Sequence, residues 1–164
     1  MHLPVLKEEV LIGLDPKPNR NFVDCTGGEG GHTLAVAERI GPEGKVLSID
    51  WEQRNVDLIN RKTRELGLEG RVRAVKGDYV DLAEIIEKEG FKEVFGIVLD
   101  LGFSSWHIDE SRRGFSFNKD EPLDMRYDQE GELTAWEIVN SWPPTEIEKI
   151  LREYGEERFF KQIV

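Results

Sequence analysis

The sequence predicts an α/β fold in which helices cover both faces of a parallel sheet, and three observations support this class. Short apolar runs alternate with helical patterns as far as Asp100, as in successive βαβ units. The run Gly96–Asp100 is apolar without alternation, which is typical of a strand buried on both faces of a parallel sheet. Between the apolar pair Phe22-Val23 and a helical pattern, the stretch 24–33 reads DCTGGEGGHT, with four glycines in five positions.

The elements are predicted in chain order from apolar periodicity and from the turn residues between them. A first helix ends near Gly13, before a turn-rich connector at 15–19. The glycine-rich stretch separates the first strand from the second helix, and the turn 41–44 leads into a strand whose residues alternate in character. Strands are predicted over Phe22–Cys25, Lys45–Asp50, Val72–Val75 and Gly96–Asp100, and helices over Leu6–Leu14, His32–Ile40, Arg54–Leu66 and Leu82–Glu89.

Beyond Asp100 the periodicity breaks. The segment 101–131 has no sustained helical or strand period, and a structureless stretch of this length inside a compact domain is usually functional. Helical signals return at Thr145–Glu148, which we interpret as a capping box that follows Pro143 and Pro144. We expect that helix to end at Gly155 and another to begin within 156–164.

The glycine-rich stretch predicts a loop that approaches a nucleotide-containing cofactor closely. Glycine permits backbone conformations that side chains forbid, and the following helix presents unpaired N–H groups. The dinucleotide fingerprint G-x-G-x-x-G begins at Gly28 and Gly30 but meets Thr33 instead of a third glycine. Glu29 adds a carboxylate that repels a pyrophosphate and tolerates a cation. Both features favour S-adenosylmethionine (SAM), which carries a sulfonium and no phosphate, over NAD.

Asp50 ends the second predicted strand and follows Gly30 by about 20 residues. In nucleotide-binding sheets, a carboxylate at that strand tip accepts hydrogen bonds from the ribose hydroxyls. We therefore predict that Asp50 binds the ribose, with Glu52 as the second candidate. The alternative is a solvent-facing Asp50 that caps the helix predicted to begin at Arg54.

Side chains after the third and fourth strands should converge on the same crevice, because open parallel sheets bind ligands beyond the carboxyl ends of their strands. We predict that Tyr79 stacks on an adenine ring and that Asp78 accepts from its amino group; alternatively, Tyr79 covers the sheet edge. Asp100 is predicted to accept an N–H of an exocyclic base amine, and Phe103 to stack on a flipped base. The alternative is that Asp100 only caps the loop while Phe103 belongs to the core.

His107 is the strongest candidate for a histidine in this pocket, beside His32 in the glycine loop and His2 near the N-terminus. Isolated histidines without carboxylates at ligand spacing predict no metal site. Three basic residues either bind RNA phosphates or pair with nearby carboxylates. For each residue taken alone, pairing with a nearby carboxylate is the favoured interpretation. They are Arg112, Arg113 and Arg126, with Asp109, Glu110, Asp124 and Asp128 as the acidic neighbours.

Composition restricts the class of protein. With 164 residues, 38% hydrophobic and 34% charged, the chain is expected to form one soluble globular domain. It lacks an apolar run long enough for a membrane span and lacks a signal-peptide pattern, so we predict a cytoplasmic protein. The single cysteine, Cys25, excludes an internal disulfide and a cysteine-rich zinc site. A formal charge of −11 opposes phosphate binding, so a nucleic-acid partner requires local positive charge.

Five motifs make the chain resemble the MraW/RsmH family, the SAM-dependent cytidine N4-methyltransferases of 16S ribosomal RNA. In order, they are residues 24–33, Leu99–Gly102 with Ser104-Ser105, Arg113–Phe117, Pro122–Arg126 and Tyr154–Arg158. The resemblance implies a class I SAM-dependent methyltransferase (Rossmann-like) sheet, with SAM contacts at Gly30, Gly31, His32, Asp50, Tyr79, Asp100 and position 107. The chain departs from the family pattern at Trp106-His107, where Pro-Gln is usual, and at Tyr127, where methionine is usual.

The resemblance also implies that the chain is the N-terminal part of a longer enzyme. We expect a SAM-binding core with the first four strands at 1–105, a pocket segment at 106–132, and the start of a helical insertion domain at 133–164. The partial sheet would leave a strand exposed at its edge, which favours self-association.

The predicted function is methylation of the N4 amine of a cytidine in small-subunit (16S) ribosomal RNA, with SAM as cofactor and no metal. The predicted catalytic residues are Asp100 and Phe103, and the predicted cofactor-binding residues are Gly28, Gly30, Gly31, His32, Asp50, Asp78, Tyr79, Asp100 and His107. Two alternatives stay open at this point: a SAM-binding fragment without activity, and a nucleotide-dependent oxidoreductase.

Overall fold

The computed structural model describes residues 4–164, so the candidate His2 lies outside the described residues. The chain divides into two compact units. The first ends at Gly102 and contains the sheet, and the second comprises residues 103–164 and is built from short helices and irregular segments. In the described part of the chain, no helix combines the length and the apolar character needed to cross a membrane.

The first unit is a parallel sheet flanked by helices. Its elements are α1 (Lys7–Leu14), β1 (Asn21–Asp24), α2 (Gly31–Arg39), β2 (Val46–Asp50), α3 (Gln53–Glu65), β3 (Val72–Lys76), a 3-10 turn (Tyr79–Asp81), α4 (Leu82–Lys88) and β4 (Val94–Val98). The four strands lie in the order β3-β2-β1-β4, and each neighbouring pair is parallel. The predicted α/β class is therefore confirmed, and the carboxyl ends of the strands all lie at one end of the sheet.

Alternate residues of the strands enter two hydrophobic clusters. Phe22 of β1 and Val46 of β2 pack with residues of α1, α2 and α3, whereas Val23 and Leu47 pack with residues of α4. The helix residues are Leu11, Ala35, Val36, Ala37 and Ile59 in the first cluster, and Leu82, Ile85 and Ile86 in the second. Both faces of β1 and β2 are thus covered, so these central strands position the residues that follow them.

The fourth strand differs from its prediction in register and in burial. It spans Val94–Val98 instead of Gly96–Asp100, because the backbone N–H of Asp100 leaves the ladder and donates to the Thr26 side chain. Phe95 and Ile97 are 55% and 44% exposed, so the predicted burial on both faces is wrong. The physical reason is position: β4 lies at the edge of the sheet, beyond β1.

The second unit contains α5 (Ser105–Asp109), α6 (Ala135–Ser141), α7 (Pro144–Glu153) and α8 (Phe160–Ile163). The sequence patterns missed α5 and α6. The predicted capping box at Thr145–Glu148 is wrong, because α7 already begins at Pro144. A capping box instead begins α6, where the Thr134 N–H donates to Glu137 Oε2 at 2.8 Å and the Glu137 N–H donates to Thr134 Oγ1 at 3.2 Å. Both sequences fit the capping-box rule. At Thr145 the box does not form because Pro144 already occupies the first position of α7.

We expect Gly13→Ala to raise the free energy of unfolding by about 0.5–1 kcal/mol, because alanine costs less backbone entropy than glycine in a helix. Gly13 lies within α1, and an added Cβ meets no described atom within 4 Å outside its own helix backbone. Gly67→Ala is the matched control, since its surroundings are equally open but its φ is +66°. Chemical denaturation should show stabilisation at 13 and destabilisation at 67; stabilisation at both would contradict the backbone argument.

Candidate functional site

The glycine loop between β1 and α2 is pressed against the second strand. The N–H of Gly27 donates to the Ile49 carbonyl at 2.9 Å, and a Cβ at Gly27 would lie 2.6 Å from Ser48 Oγ. Gly28 and Gly30 have φ values of 51° and 85°, which L side chains rarely adopt. Close approach and backbone conformation therefore both require glycine in this loop.

Asp50, at the tip of β2, holds the glycine loop from the other side. Its Oδ2 accepts from the Gly28 N–H at 2.7 Å, while Oδ1 accepts from the Glu52 N–H at 2.8 Å and from Asn55 Nδ2 at 3.0 Å. Burial raises the pKa of the Asp50 carboxyl, and these hydrogen bonds oppose the rise. Asp50 thus braces both the loop and the start of α3, so the contacts include those expected of the helix-capping alternative. That Asp50 binds a ribose stays a prediction. The alternative that Glu52, which is buried, binds it also stays a prediction.

Asp24 is a buried carboxylate that the sequence analysis did not select. Its Oδ2 accepts from Thr33 Oγ1 at 2.6 Å, and its Oδ1 accepts from the Thr26 N–H at 3.1 Å. Thr33 Oγ1 also lies 2.8 Å from Ser48 Oγ on β2. Burial raises the pKa of Asp24, while the Thr33 and Thr26 hydrogen bonds lower it. The signal in the sequence was an acid at the end of β1, directly before the loop.

This network explains the residue that breaks the dinucleotide fingerprint. Thr33 is fully buried, and its hydroxyl joins β1 to β2 through the first turn of α2. Glycine at that position would leave the buried Asp24 carboxylate with one fewer donor, which is costly in a low-dielectric interior. The departure from G-x-G-x-x-G is therefore a structural feature of this loop as well as a cofactor signal.

His32 and Asp100 meet at the mouth of the loop. His32 is 5% exposed, and among the described residues neither of its ring nitrogens has a hydrogen-bond partner. Its Nε2 lies 3.5 Å from Asp100 Oδ2, and the Asp100 carboxylate is half exposed. The Asp100 N–H donates to Thr26 Oγ1 at 2.8 Å. A polar ring and a carboxylate with free acceptor capacity thus lie together beside the glycine backbone.

Asp78 and Tyr79 follow β3, as predicted. Asp78 Oδ1 accepts from the Val80 N–H at 2.9 Å and so caps the 3-10 turn, while Tyr79 is 42% exposed. One carboxylate oxygen of Asp78 is thus committed to the turn. The stacking of Tyr79 on adenine and the contact of Asp78 with its amino group stay predictions.

The Glu29 side chain of the glycine loop lies beside two cations of α3. Its Oε1 lies 4.0 Å from Arg54 Nη2 and its Oε2 lies 3.9 Å from Lys62 Nζ, both on α3. Lys62 Nζ also donates to the Glu29 carbonyl at 2.7 Å. The carboxylate therefore lies near two cations of α3, and its effect on a pyrophosphate stays a prediction.

His107 and Phe103 belong to the second unit. His107 is buried, its Nδ1 accepts from the Ser104 N–H at 3.1 Å, and its ring lies 5.0 Å from the rings of Phe115 and Tyr127. It thus supports the start of α5 and an aromatic cluster. Phe103 is exposed, with its ring 6.0 Å from that of Phe115, so it is not a core residue. A cofactor contact of His107 and base stacking by Phe103 stay predictions.

The arginines of the second unit make local contacts. Arg126 donates to Asp124 through Nε at 2.8 Å and Nη2 at 2.6 Å, which lowers the pKa of the Asp124 carboxyl. Arg113 is buried and its Nη1 donates to the carbonyls of Arg126 and Tyr127. The structure thus confirms the predicted pairing with a carboxylate for Arg126, places Arg113 against backbone carbonyls, and leaves Arg112 exposed.

The parallel order β3-β2-β1-β4, with a glycine loop after β1 and an acid at the end of β2, is that of a Rossmann-like nucleotide-binding sheet, the class to which class I methyltransferases belong. The same fold is seen in the C-terminal domain of precorrin-6Y C5,15-methyltransferase from Rhodobacter capsulatus, at a TM-score of 0.50 and 21% identity, over 60% of this chain and 50% of that one. The chain belongs to the MraW methylase family, whose model matches residues 1–164.

Curated relatives agree with the family. The chain is 40% identical to ribosomal RNA small subunit methyltransferase H of Brevibacillus brevis over 99% of its own length and 51% of the relative's. It is 42% identical to the protein of the same name from a Paenibacillus species, over 99% and 52%. The chain thus spans about half the length of the curated relatives that it matches.

S-adenosylmethionine is the cofactor of this family, and the residues of the first unit fit it. Glycine lets the loop pack closely against α3, since a Cβ at Gly30 would lie 3.1 Å from Ile59 Cγ1. The buried ring nitrogens of His32 have no internal hydrogen-bond partner in the described part of the chain. The carboxylates of Asp50 and Asp100 offer acceptors to hydroxyl or ammonium groups. Within residues 4–164, no cluster of His, Cys, Asp and Glu is arranged to hold a metal ion.

Proposed function

We propose that this chain carries the cofactor-binding half of an enzyme that methylates the N4 amine of a cytidine in small-subunit (16S) ribosomal RNA. The observation that carries the proposal is the placement of Asp100. Its backbone is tied to the glycine loop through Thr26, and its half-exposed carboxylate lies 3.5 Å from His32. An acceptor is thus held beside the loop that receives the methyl donor. The names of the curated relatives support ribosomal RNA as the substrate.

The chemistry of an exocyclic amine explains why such an acceptor is useful. The nitrogen lone pair is conjugated with the base ring, so the amine is a poor nucleophile. An N–H donated to the Asp100 carboxylate favours a pyramidal nitrogen and points its lone pair away from the acceptor. The bound SAM supplies a methyl group on a sulfonium, which is a good electrophile. Asp100 then contributes orientation and accepts the proton that the nitrogen loses, while the loop contributes proximity.

For the cofactor itself, we propose that Gly28, Gly30, Gly31 and His32 line the part of SAM nearest the glycine loop. Asp50 would accept from the ribose hydroxyls, and Tyr79 and Asp78 would contact the adenine. In support, these residues follow β1, β2 and β3 at the same end of the sheet. We further propose that His107 contacts the cofactor and that Phe103 stacks on the flipped base, as the family resemblance implies.

The test is methylation of unmodified 16S ribosomal RNA by the chain with isotopically labelled SAM, followed by digestion and mass spectrometry of the nucleosides. The expected product is N4-methylcytidine. Label in a C5-methyl or ribose-methyl product would reject the amine chemistry. No label in RNA, with SAM binding intact, would favour the second candidate function.

That second candidate is a SAM-binding fragment without activity of its own. It is favoured by the formal charge of −11, which opposes RNA binding. The family assignment removes the oxidoreductase alternative. Because the proposed substrate is ribosomal RNA, we also propose a cytoplasmic location.

We propose that the chain self-associates through β4, with a second copy of itself as the partner. Of the described strands, β1 alone pairs with β4, and Val94–Val98 contains neither lysine nor proline to block an added strand. The exposed Phe95 and Ile97 would add apolar contact to the backbone pairing. A two-fold axis would align two β4 strands in antiparallel pairing.

Analytical ultracentrifugation should show a concentration-dependent dimer that Ile97→Lys weakens by about tenfold or more, since a buried like-charge pair would face the two-fold axis. Val80→Lys, at an exposed apolar residue of the 3-10 turn, is the matched control and should leave the dimer intact. A wild-type chain that stays monomeric at all concentrations, or equal weakening by both variants, would contradict pairing through β4.

A further inference from the structure

We propose that Thr26 and Asp24 form a positioning relay that sets the place of Asp100 against the glycine loop. The proposal rests on the proposed role of Asp100 beside the cofactor. It adds two residues that touch neither the amine nor the methyl group and that act through a third. Their hydrogen bonds link the buried end of β1 to the Asp100 turn.

The first link is made by the Thr26 side chain. The last backbone contact between the loop and β4 is the Cys25 N–H donating to the Val98 carbonyl at 2.9 Å. Two residues later the chain has left the strand, and the Asp100 N–H donates instead to Thr26 Oγ1 at 2.8 Å. A side-chain hydroxyl therefore replaces a backbone acceptor at the residue where the carboxylate must be aimed.

The second link fixes Thr26 itself. Its N–H donates to Asp24 Oδ1 at 3.1 Å, and Asp24 is 2% exposed at the end of a central strand. Through Thr33 and Ser48, the other oxygen of Asp24 is joined to α2 and to β2. Asp24 thus cannot shift without moving β1, α2 and β2. The hydrogen bond from the Thr26 N–H therefore holds Thr26 to a fixed point.

The cost of the arrangement argues for its use. A carboxylate taken out of water is destabilising unless donors compensate it, and an apolar residue at the end of β1 would avoid that cost. Asp24 is too deeply buried to contact a ligand. What it provides is a fixed anchor for a residue whose carboxylate must be held to within a fraction of an ångström to orient a reacting group.

The chain offers matched variants. Thr26→Val removes the hydroxyl that accepts from Asp100 while keeping the side-chain shape, and Thr26→Ser keeps the hydroxyl. Thr63→Val is the control for a buried threonine, because Thr63 is 2% exposed and its Oγ1 has no hydrogen-bond partner among the described residues. Amide hydrogen exchange monitors the hydrogen bond from the Asp100 N–H to Thr26 Oγ1 in the absence of any ligand. Thr26→Val should accelerate exchange of the Asp100 N–H by about tenfold, whereas Thr26→Ser and Thr63→Val should not.

A double-mutant cycle on SAM binding, measured by calorimetry, separates positioning from general stability. Thr26→Val should weaken binding by about tenfold in the wild-type chain and by much less in an Asp100→Ala background, because the relay acts through that carboxylate. Equal weakening in both backgrounds, weakening by Thr26→Ser as large as by Thr26→Val, or no SAM binding by the wild-type chain would overturn the relay. A coupled cycle together with absent RNA methylation would keep the relay and reject the proposed function.

Discussion

Asp50→Ala is expected to abolish measurable binding of SAM and of S-adenosylhomocysteine to this chain. The proposed contacts to two ribose hydroxyls are charge-assisted, and each contributes about 1.5–3 kcal/mol. Their loss alone corresponds to a reduction in affinity of about 100-fold or more. The variant also removes the acceptor for the Gly28 N–H, so the glycine loop loses a brace at the same time. Isothermal titration calorimetry measures the effect directly.

Two controls separate ribose binding from loop support. Asp57→Ala removes an exposed carboxylate from α3 that accepts a local bond from Gln53, and it should leave affinity unchanged. Asp50→Asn keeps the shape of the side chain and one acceptor oxygen, so its affinity for SAM should lie between those of the wild type and of Asp50→Ala. An Asp50→Ala chain that binds SAM as the wild type does, with its thermal transition preserved, would rule out Asp50 as the ribose acceptor.

The same residue predicts a dependence of binding on pH. Burial raises the pKa of Asp50, so its carboxyl takes up a proton at a higher pH than an exposed aspartate does. The protonated form accepts fewer hydrogen bonds, and affinity should therefore fall as pH falls through that raised pKa. For stability the sign is opposite: between the unfolded and the raised folded pKa the folded state binds more protons, so the contribution of Asp50 to stability decreases as pH rises through that window.

The second large effect is expected for Asp100→Asn. If Asp100 orients the amine and accepts its proton, loss of the charge should reduce the rate of methyl transfer by about 10²–10⁴-fold. Binding of SAM should weaken by about tenfold, as expected for Thr26→Val, and so change far less than the rate, because the backbone N–H of residue 100 still donates to Thr26 Oγ1. The measurement is single-turnover methylation of 16S ribosomal RNA, with SAM affinity determined on the same samples.

Asp81→Asn is the matched control for Asp100→Asn, since Asp81 is exposed and its side chain makes no capping hydrogen bond at the start of α4. It should methylate at the wild-type rate. A fully active Asp100→Asn chain would show that the carboxylate is dispensable and would leave Asp100 with the structural role of closing the loop. A fall in rate that is matched by an equal fall in SAM affinity would assign Asp100 to cofactor binding alone.

Local sequence signals were sufficient where a single segment carried the information. The first three strands were predicted to within a residue or two, because each apolar run is bounded by turn residues on both sides. The fourth was displaced toward Asp100, since the sequence cannot show that Thr26, seventy-four positions away, accepts the hydrogen bond that ends the ladder. Exposure of Phe95 and Ile97 likewise depends on which strand lies at the edge.

The direction of a side chain was the least predictable property. Glu29 stands within a cofactor loop by sequence, yet its carboxylate lies against Arg54 and Lys62 of α3. Thr33 was interpreted as a cofactor signal and Asp24 was not a candidate, yet the two form a buried hydrogen-bonded pair. In each case the deciding partner comes from another element, and no local pattern encodes that contact.

The sequence by itself determined the fold class, the position of the glycine loop, the acids that end the strands and the methylase family, because these are carried by periodicity and by contiguous motifs. Only the tertiary structure decided which residues form hydrogen bonds with those groups and fix their positions. Asp50 braces Gly28, Asp24 joins Thr33 to Thr26, and Asp100 is latched to the loop through a threonine hydroxyl. These are contacts between ends of different parallel strands, and they exist only when the sheet brings those ends together.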